Sequence, residues 1–244
     1  MKKTILLFLI SASCFGQLSP KVNELYQELS KSNQYESKNI GIDGHESEPY
    51  KIHTEIGKIA TDQELEFIAL HGNVVAKTYI SNILISRKSK VLEEIFKRYL
   101  ETNDSIKIRS GCVGYQSFLA DEMYKGIVFE REKIKRARYY KKLKNKFLHS
   151  KKRLNSFDLD IIESLKIETQ WKPKEIDSLQ YKLDQIVLDN KESSENIVNL
   201  MCSYYLDTKI KIPYYKKMIY FEEKYNSEYI KDYLKFCRYG ILKK

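Results

Sequence analysis

The sequence predicts an all-α protein, and three observations carry that expectation. Apolar residues recur every three or four positions from Lys51 to Tyr239, as one face of a helix requires. Gly (9) and Pro (4) are too scarce in 244 residues for a sandwich or barrel built on many tight turns. Helix punctuation such as Thr61 with Glu64, or Pro173 after Lys172, falls where those periodic stretches begin. This reading assigns no strand. The expected architecture is antiparallel helix pairs stacked as a short α-α superhelix, followed by a C-terminal helical bundle.

Residues 1–16 hold Lys2 and Lys3, an apolar run from Ile5 to Ile10 and small residues up to Gly16. That pattern predicts a signal peptide cut before Gln17, with an apolar core much shorter than a bilayer span. A rival cut makes Cys14 the lipid-modified first residue of a lipoprotein. Either way, the mature chain is expected outside the cytoplasm, in a periplasm, a cell envelope or the medium, and without a transmembrane span.

Residues 17–50 read as one helix and an irregular connection. Ser19 caps that helix with Pro20 at its first position, and Val22, Leu25, Tyr26 and Leu29 share a face. The polar stretch 31–50, with Gly41, Gly44 and Pro49, is the connection. Residues 51–126 form the next region. Thr61 or Asp62 opens a helix carrying Leu65, Ile68 and Ala69, and His71-Gly72-Asn73 ends it. A second helix carries Val75, Tyr79 and Ile83, and a third carries Leu92, Ile95, Phe96 and Tyr99. The spacing of Ile108, Cys112, Tyr115, Phe118, Leu119 and Met123 predicts a fourth.

Helix, polar turn, helix, repeated after about 32 residues, resembles the HEAT-type α-helical repeat class over Glu55–Tyr124. Ala76-Lys77 and Ile108-Arg109 resemble the apolar-basic pair of such repeats, with Asn73 and Asp104 in the turns before them. No proline marks either turn, and Gly111 and Gly114 fall within the fourth helix. The resemblance implies two units whose inner helices offer a contact surface.

Residues 127–156 hold a basic helix and a linker, and 157–244 a C-terminal helical region. That region is read as helices over Phe157–Lys166, from Pro173 to about Asp189, over Ile197–Leu206, from Pro213 to about Tyr225, and from Ser227 to about Tyr239. Net charge is +10, yet twelve Lys and Arg stand against one acid, Glu132, between Arg131 and Arg153. On a helical wheel Arg131, Lys135, Arg138, Lys142 and Lys146 form one ridge, opposite a stripe of Phe129, Tyr140, Leu143 and Phe147. The stripe is expected to pack inward, leaving the ridge as a candidate anion-binding surface. A solvated lysine-rich face is the bland alternative.

Catalytic signals are thin. His45 and His53 lie near Asp43, Glu46 and Glu48 without the helical spacing of a zinc motif, and His71 sits in a helix turn. Ser110-Gly111-Cys112-Val113-Gly114 lacks the strand-to-helix setting of a nucleophile elbow, so Cys112 reads as a packed thiol. Cys202 and Cys237 are expected as buried thiols, with a bridge between them as the alternative. No cofactor or metal motif is found. The function expected is non-enzymatic: a surface for another protein, with anionic lipid or polysaccharide on the 131–146 ridge as the alternative and an envelope hydrolase without a motif third. Export argues against nucleic acid.

Overall fold

The computed structural model describes residues 18–148, 160, 163, 166–211 and 214–240. The expected signal peptide and its cleavage point lie outside them, as do most of Phe157–Lys166, the 149–156 linker and Pro213. Two compact units divide between Gly126 and Ile127.

The N-terminal unit is not all-α. It holds helices α1 (Pro20–Leu29), α2 (Glu48–Ile59), α3 (Asp62–His71), α4 (Val74–Arg87) and α5 (Leu92–Thr102), together with four strands. Strands β1 (Tyr35–Ile40) and β2 (His45–Glu46) occupy the stretch expected to be irregular. Strands β3 (Ser105–Gly111) and β4 (Val113–Phe118) replace the expected fourth helix. The sheet order is β2-β1-β3-β4, with β1 parallel to β3 and each hairpin antiparallel within itself. This sheet overturns the expected α-α superhelix. Of the helix pairs read over Glu55–Tyr124, α3 and α4 remain as a packed pair.

The reason is a period that fits two structures. Ile106 and Ile108 are buried, while Ser105 and Lys107 between and beside them are exposed, the alternation of a half-buried strand. Ile108, Cys112, Tyr115 and Leu119 are also helically spaced. Gly111 decides the matter: its φ of 59° starts the two-residue Gly111-Cys112 turn, where type II′ hairpins place glycine. Parallel pairing of Tyr35 with Ile108 then brings in β1 from far along the chain.

Polar side chains tie these elements through backbone groups. The Tyr79 hydroxyl accepts from the Glu36 N–H at 2.9 Å and donates to the Glu36 carbonyl at 2.8 Å, joining α4 to β1. Tyr99 donates to the Ala69 carbonyl at 2.7 Å. Arg87 spans the carbonyls of Gly57 and Ala60 at the end of α2 and the carboxylate of Asp62. Asn73 caps α4 by accepting from the Ala76 N–H, and its amide donates to the last turn of α1 at the Ser30 carbonyl. Around them Leu65, Ile68, Ile80, Leu84, Ile95 and Phe96 close the core.

Helix α6 (Leu119–Leu148) carries the unit boundary within it. The C-terminal unit continues with α7 (Pro173–Asp189), α8 (Glu195–Thr208), α9 (Tyr215–Tyr225) and α10 (Glu228–Tyr239). All its described elements are helices, close to the ranges the periodicity predicts. Ile176, Leu183, Val187, Ile197, Val198, Met201, Met218, Phe221, Ile230 and Tyr233 are among its fully buried side chains.

Candidate binding surfaces

Three places in the molecule have the chemistry of a site: an open sheet edge, an aromatic cluster beside that sheet, and the basic helix.

The edge is β4. It ends the sheet, so one side of its backbone has no strand partner among the described residues. Val113, Gly114, Tyr115 and Gln116 are exposed, while Ser117 and Phe118 are covered or half-covered. Val-Gly-Tyr-Gln-Ser-Phe contains no charge and no proline, the two devices that usually protect an edge from pairing with another chain. Because β1 and β3 are parallel, their hairpin tips meet at one end of the sheet. The Gly41 N–H donates to the Gly111 carbonyl at 3.1 Å, and the Cys112 thiol lies 3.3 Å from the Gly41 carbonyl. Ile42 is 99% exposed and Val113 62%, so two apolar side chains stand at adjoining tips. Cys112 is exposed, which corrects its reading as a packed helical thiol.

Register places charge beside this edge. Lys107 pairs with Gln116 and Arg109 with Gly114, on the face opposite Ile106 and Ile108. Neither Lys107 nor Arg109 forms an ion pair among the described residues. On the inner face Lys125 bonds Glu122 at 2.7 Å and lies 5.5 Å from the Tyr115 ring centroid.

The aromatic cluster packs half-buried Tyr35, Tyr50 and His53 around buried Tyr79, with ring centroids 4.5 to 5.0 Å apart along the stack. Burial lowers the His53 pKa and so favours the neutral ring, although its contact with the Tyr50 carbonyl at 3.1 Å opposes that. With Nδ1 donating there, Nε2 is the acceptor nitrogen. His53 makes no bond to a hydroxyl or thiol, so no nucleophile–base pair forms at it. Tyr35 is pushed up to about 12 by burial, with the nearby Glu122 charge adding to it. Asp121, in the first turn of α6, is raised to about 6 by burial against the opposing pull of Lys125. Sequence reasoning found neither Asp121 nor the Tyr35 stack, because their grouping depends on the sheet.

The basic ridge divides. Arg131 is half-buried within its unit: its Nε lies 3.0 Å from the Asp177 carboxylate, and its guanidinium donates to Gln180 at 3.1 Å and to the Tyr204 hydroxyl. It also lies over the Tyr204 ring. Lys135 is exposed and paired with Glu132. Arg138, Lys142 and Lys146 are exposed without an acid partner among the described residues. Phe129 is 49% exposed, so the inward stripe is Ile127, Glu130 and Ile134 rather than one beginning at Phe129. Tyr140 and Leu143 are half-covered; the side chain of Phe147 lies outside the described residues. Glu130 is buried with Thr169 donating to it at 2.6 Å and Lys133 beside it.

Elsewhere, Cys202 and Cys237 are free, and burial pushes the Cys202 thiol up, with Cys237 as the next cause. No group of three or more His, Cys, Asp or Glu among the described residues is placed to hold a metal ion. No helix among them is long and apolar enough to cross a membrane. His45 bonds Asp43 at 2.8 Å in the β1–β2 hairpin, apart from His53 on α2. No family model, curated protein or solved structure matches the chain.

Proposed function

We propose that this chain is an exported, non-catalytic protein that binds another protein through the open edge of its N-terminal sheet. One observation carries the reading: β4 presents an exposed, uncharged strand whose outer side has no strand partner among the described residues, beside two apolar hairpin tips. Such an edge offers main-chain donors and acceptors to an incoming strand, while Val113 and Tyr115 offer side-chain contacts. The contact surface is therefore the sheet, in place of the inner helices of a repeat stack.

The test is photo-crosslinking in the producing cell, with benzoylphenylalanine at Val113 or, as control, at exposed Lys21 on α1. The reading expects one crosslinked protein from Val113, identified by mass spectrometry of the joined peptides, and none from Lys21. Equal products at both positions, or none at Val113, would overturn it. The same material gives the mature N-terminus, expected at Gln17.

A second reading has its own observation. Arg136, Arg138, Lys141, Lys142, Lys144 and Lys146 are all exposed and lack acid partners among the described residues. That end of α6 is suited to an anionic lipid or polysaccharide surface. Sedimentation with phosphatidylglycerol vesicles should fall several-fold in the R138E/K142E variant and weaken steeply with salt. Unchanged sedimentation removes this reading.

A further inference from the structure

We infer that the strand completing the sheet at β4 is an extended segment of a partner protein that alternates acidic and apolar residues. This rests on the edge-binding reading above and specifies its occupant.

Register decides which side chains an incoming strand meets. An incoming strand lies one strand spacing from β4 and two from β3, about 10 Å from the latter. Side chains normally bar contact across an intervening strand, but Arg109 is paired with Gly114, which has none. A strip above β4 is thus open between the Arg109 guanidinium and the incoming strand. Lys107, paired with Gln116, lies two residues along the same face. On the β1 side Arg109 stands beside Glu36, whose carboxylate accepts from Ser47 and Gln34 and forms no ion pair with it. On the β4 side, two cations at period two without ion partners among the described residues suit two acids at period two on the facing strand. A long Arg or Lys side chain and a Glu side chain together close that separation.

The other face asks for different chemistry. Residues between the acids point toward the side carrying Val113 and Tyr115, both exposed apolar groups. There Lys125 already has Glu122 as its partner. Apolar residues suit this face, giving the alternation. Only Val113–Gln116 is open, four residues, so a segment of roughly 13 Å with two acids fills it.

The competing occupants fit less well. A second copy pairing β4 on β4 would bring the Lys107 and Arg109 sets of both chains to one interface, where like charges oppose each other. A sulfated or phosphorylated polymer answers the cations but cannot supply the backbone ladder that the edge offers.

The experiment is fluorescence anisotropy on the full chain with end-blocked, fluorescein-labelled hexapeptides. The alternating Val-Glu peptide should bind at least tenfold more tightly than alternating Val-Lys, than the block isomer Val-Val-Val-Glu-Glu-Glu, and than an alternating Val-Glu peptide N-methylated at every second backbone nitrogen. The K107E/R109E variant should reverse the preference toward Val-Lys. Gly114→Leu fills the strip at a position where an added Cβ meets only the Ile108 carbonyl at 3.8 Å, so it should fold normally and weaken Val-Glu binding about tenfold. Equal binding of the block or N-methylated peptide, an unreversed preference, or no binding of the alternating peptide overturns the inference. If Val113 still crosslinks a partner protein while the alternating peptide fails, the acidic strand is wrong and edge binding stands. If both fail, both are wrong.

Discussion

The two units bury polarity differently. In the N-terminal unit, Tyr79, Tyr99, Arg87 and Asn73 spend their polar atoms largely on backbone groups, at strand β1 and at helix ends. In the C-terminal unit a set of bonds runs between side chains, Arg131 with Asp177, Gln180 and Tyr204, Tyr205 with buried Asp184, and Glu130 with Thr169 and Lys133, alongside bonds from Ser193 and Tyr225 to the Val187 and Ser193 carbonyls. Helix ends leave backbone groups that need partners, and in the N-terminal unit side chains from distant elements meet several of them, whereas helix interiors satisfy their own backbones. Between helix interiors polar contacts run through side-chain networks, whose members depend on one another.

That difference can be broken experimentally. The largest effect is expected for Arg131→Ala, which leaves Asp177, Gln180 and Tyr204 without their shared partner and should cost roughly 3 kcal/mol. The chain's single tryptophan, Trp171, is buried in the C-terminal unit, so the loss should appear in its fluorescence during urea unfolding. A change under about 0.5 kcal/mol would mean that the network contributes packing at most. Tyr79→Phe should cost about 2 kcal/mol by stranding the Glu36 N–H and carbonyl, both buried. Its effect belongs to the N-terminal unit and should leave the Trp171 transition in place.

Asp121→Asn sharpens the comparison through pH. The folded carboxyl, at about 6, lies above its ordinary 3.8, so the folded state holds a proton that the unfolded chain has released in between. Stability from that group is full below about pH 4 and is lost as pH rises through 6. Removing the charge should raise stability at pH 7 to 8 by about 1 to 2 kcal/mol and flatten the profile between pH 4 and 6. A profile that stays steep would assign the titration elsewhere. Glu64→Gln is the smallest, at about 1 kcal/mol. Burial opposes the charge there, but bonds from Ser19 and Thr61 hold the carboxyl down to about 2. Wild-type stability from this group is present above about pH 4.5 and lost as pH falls toward 2, a slope that the variant should lack.

Local signals read well from the sequence. Thr61 and Glu64 form the capping box that their spacing predicts, and Pro20 and Pro173 start their helices. The C-terminal helices follow the apolar periodicity for the same reason. What escaped depends on partners distant in sequence. Tyr35–Ile40 reads as polar connection because its burial comes from Tyr79, Ser47 and β3, none of them local. Ile108 through Leu119 fits a helix until Gly111 and the pairing with β1 are considered together. The alternation of Ile106 and Ile108 with Ser105, Lys107 and Arg109 was the available signal, and the two-residue Gly111-Cys112 turn could have weighted it. The ridge at Arg131–Lys146 lies on one helix as predicted, but which cations stay free is set by Glu132 for Lys135 and, for Arg131, by Asp177 on α7. A wheel contains no partner from another helix, and it placed Phe129 inward where Ile127, Glu130 and Ile134 pack instead.

Amide hydrogen exchange over residues 105–118, followed by NMR in the free protein, reaches the edge most directly. The account predicts protected amides through the centre of β3, which is paired on both sides. It predicts alternation along Val113–Gln116, where every second amide faces solvent and exchanges fast. Uniform slow exchange across residues 113–118 would contradict it, because it would mean that a helix, or an edge already covered, occupies the place assigned to an open strand.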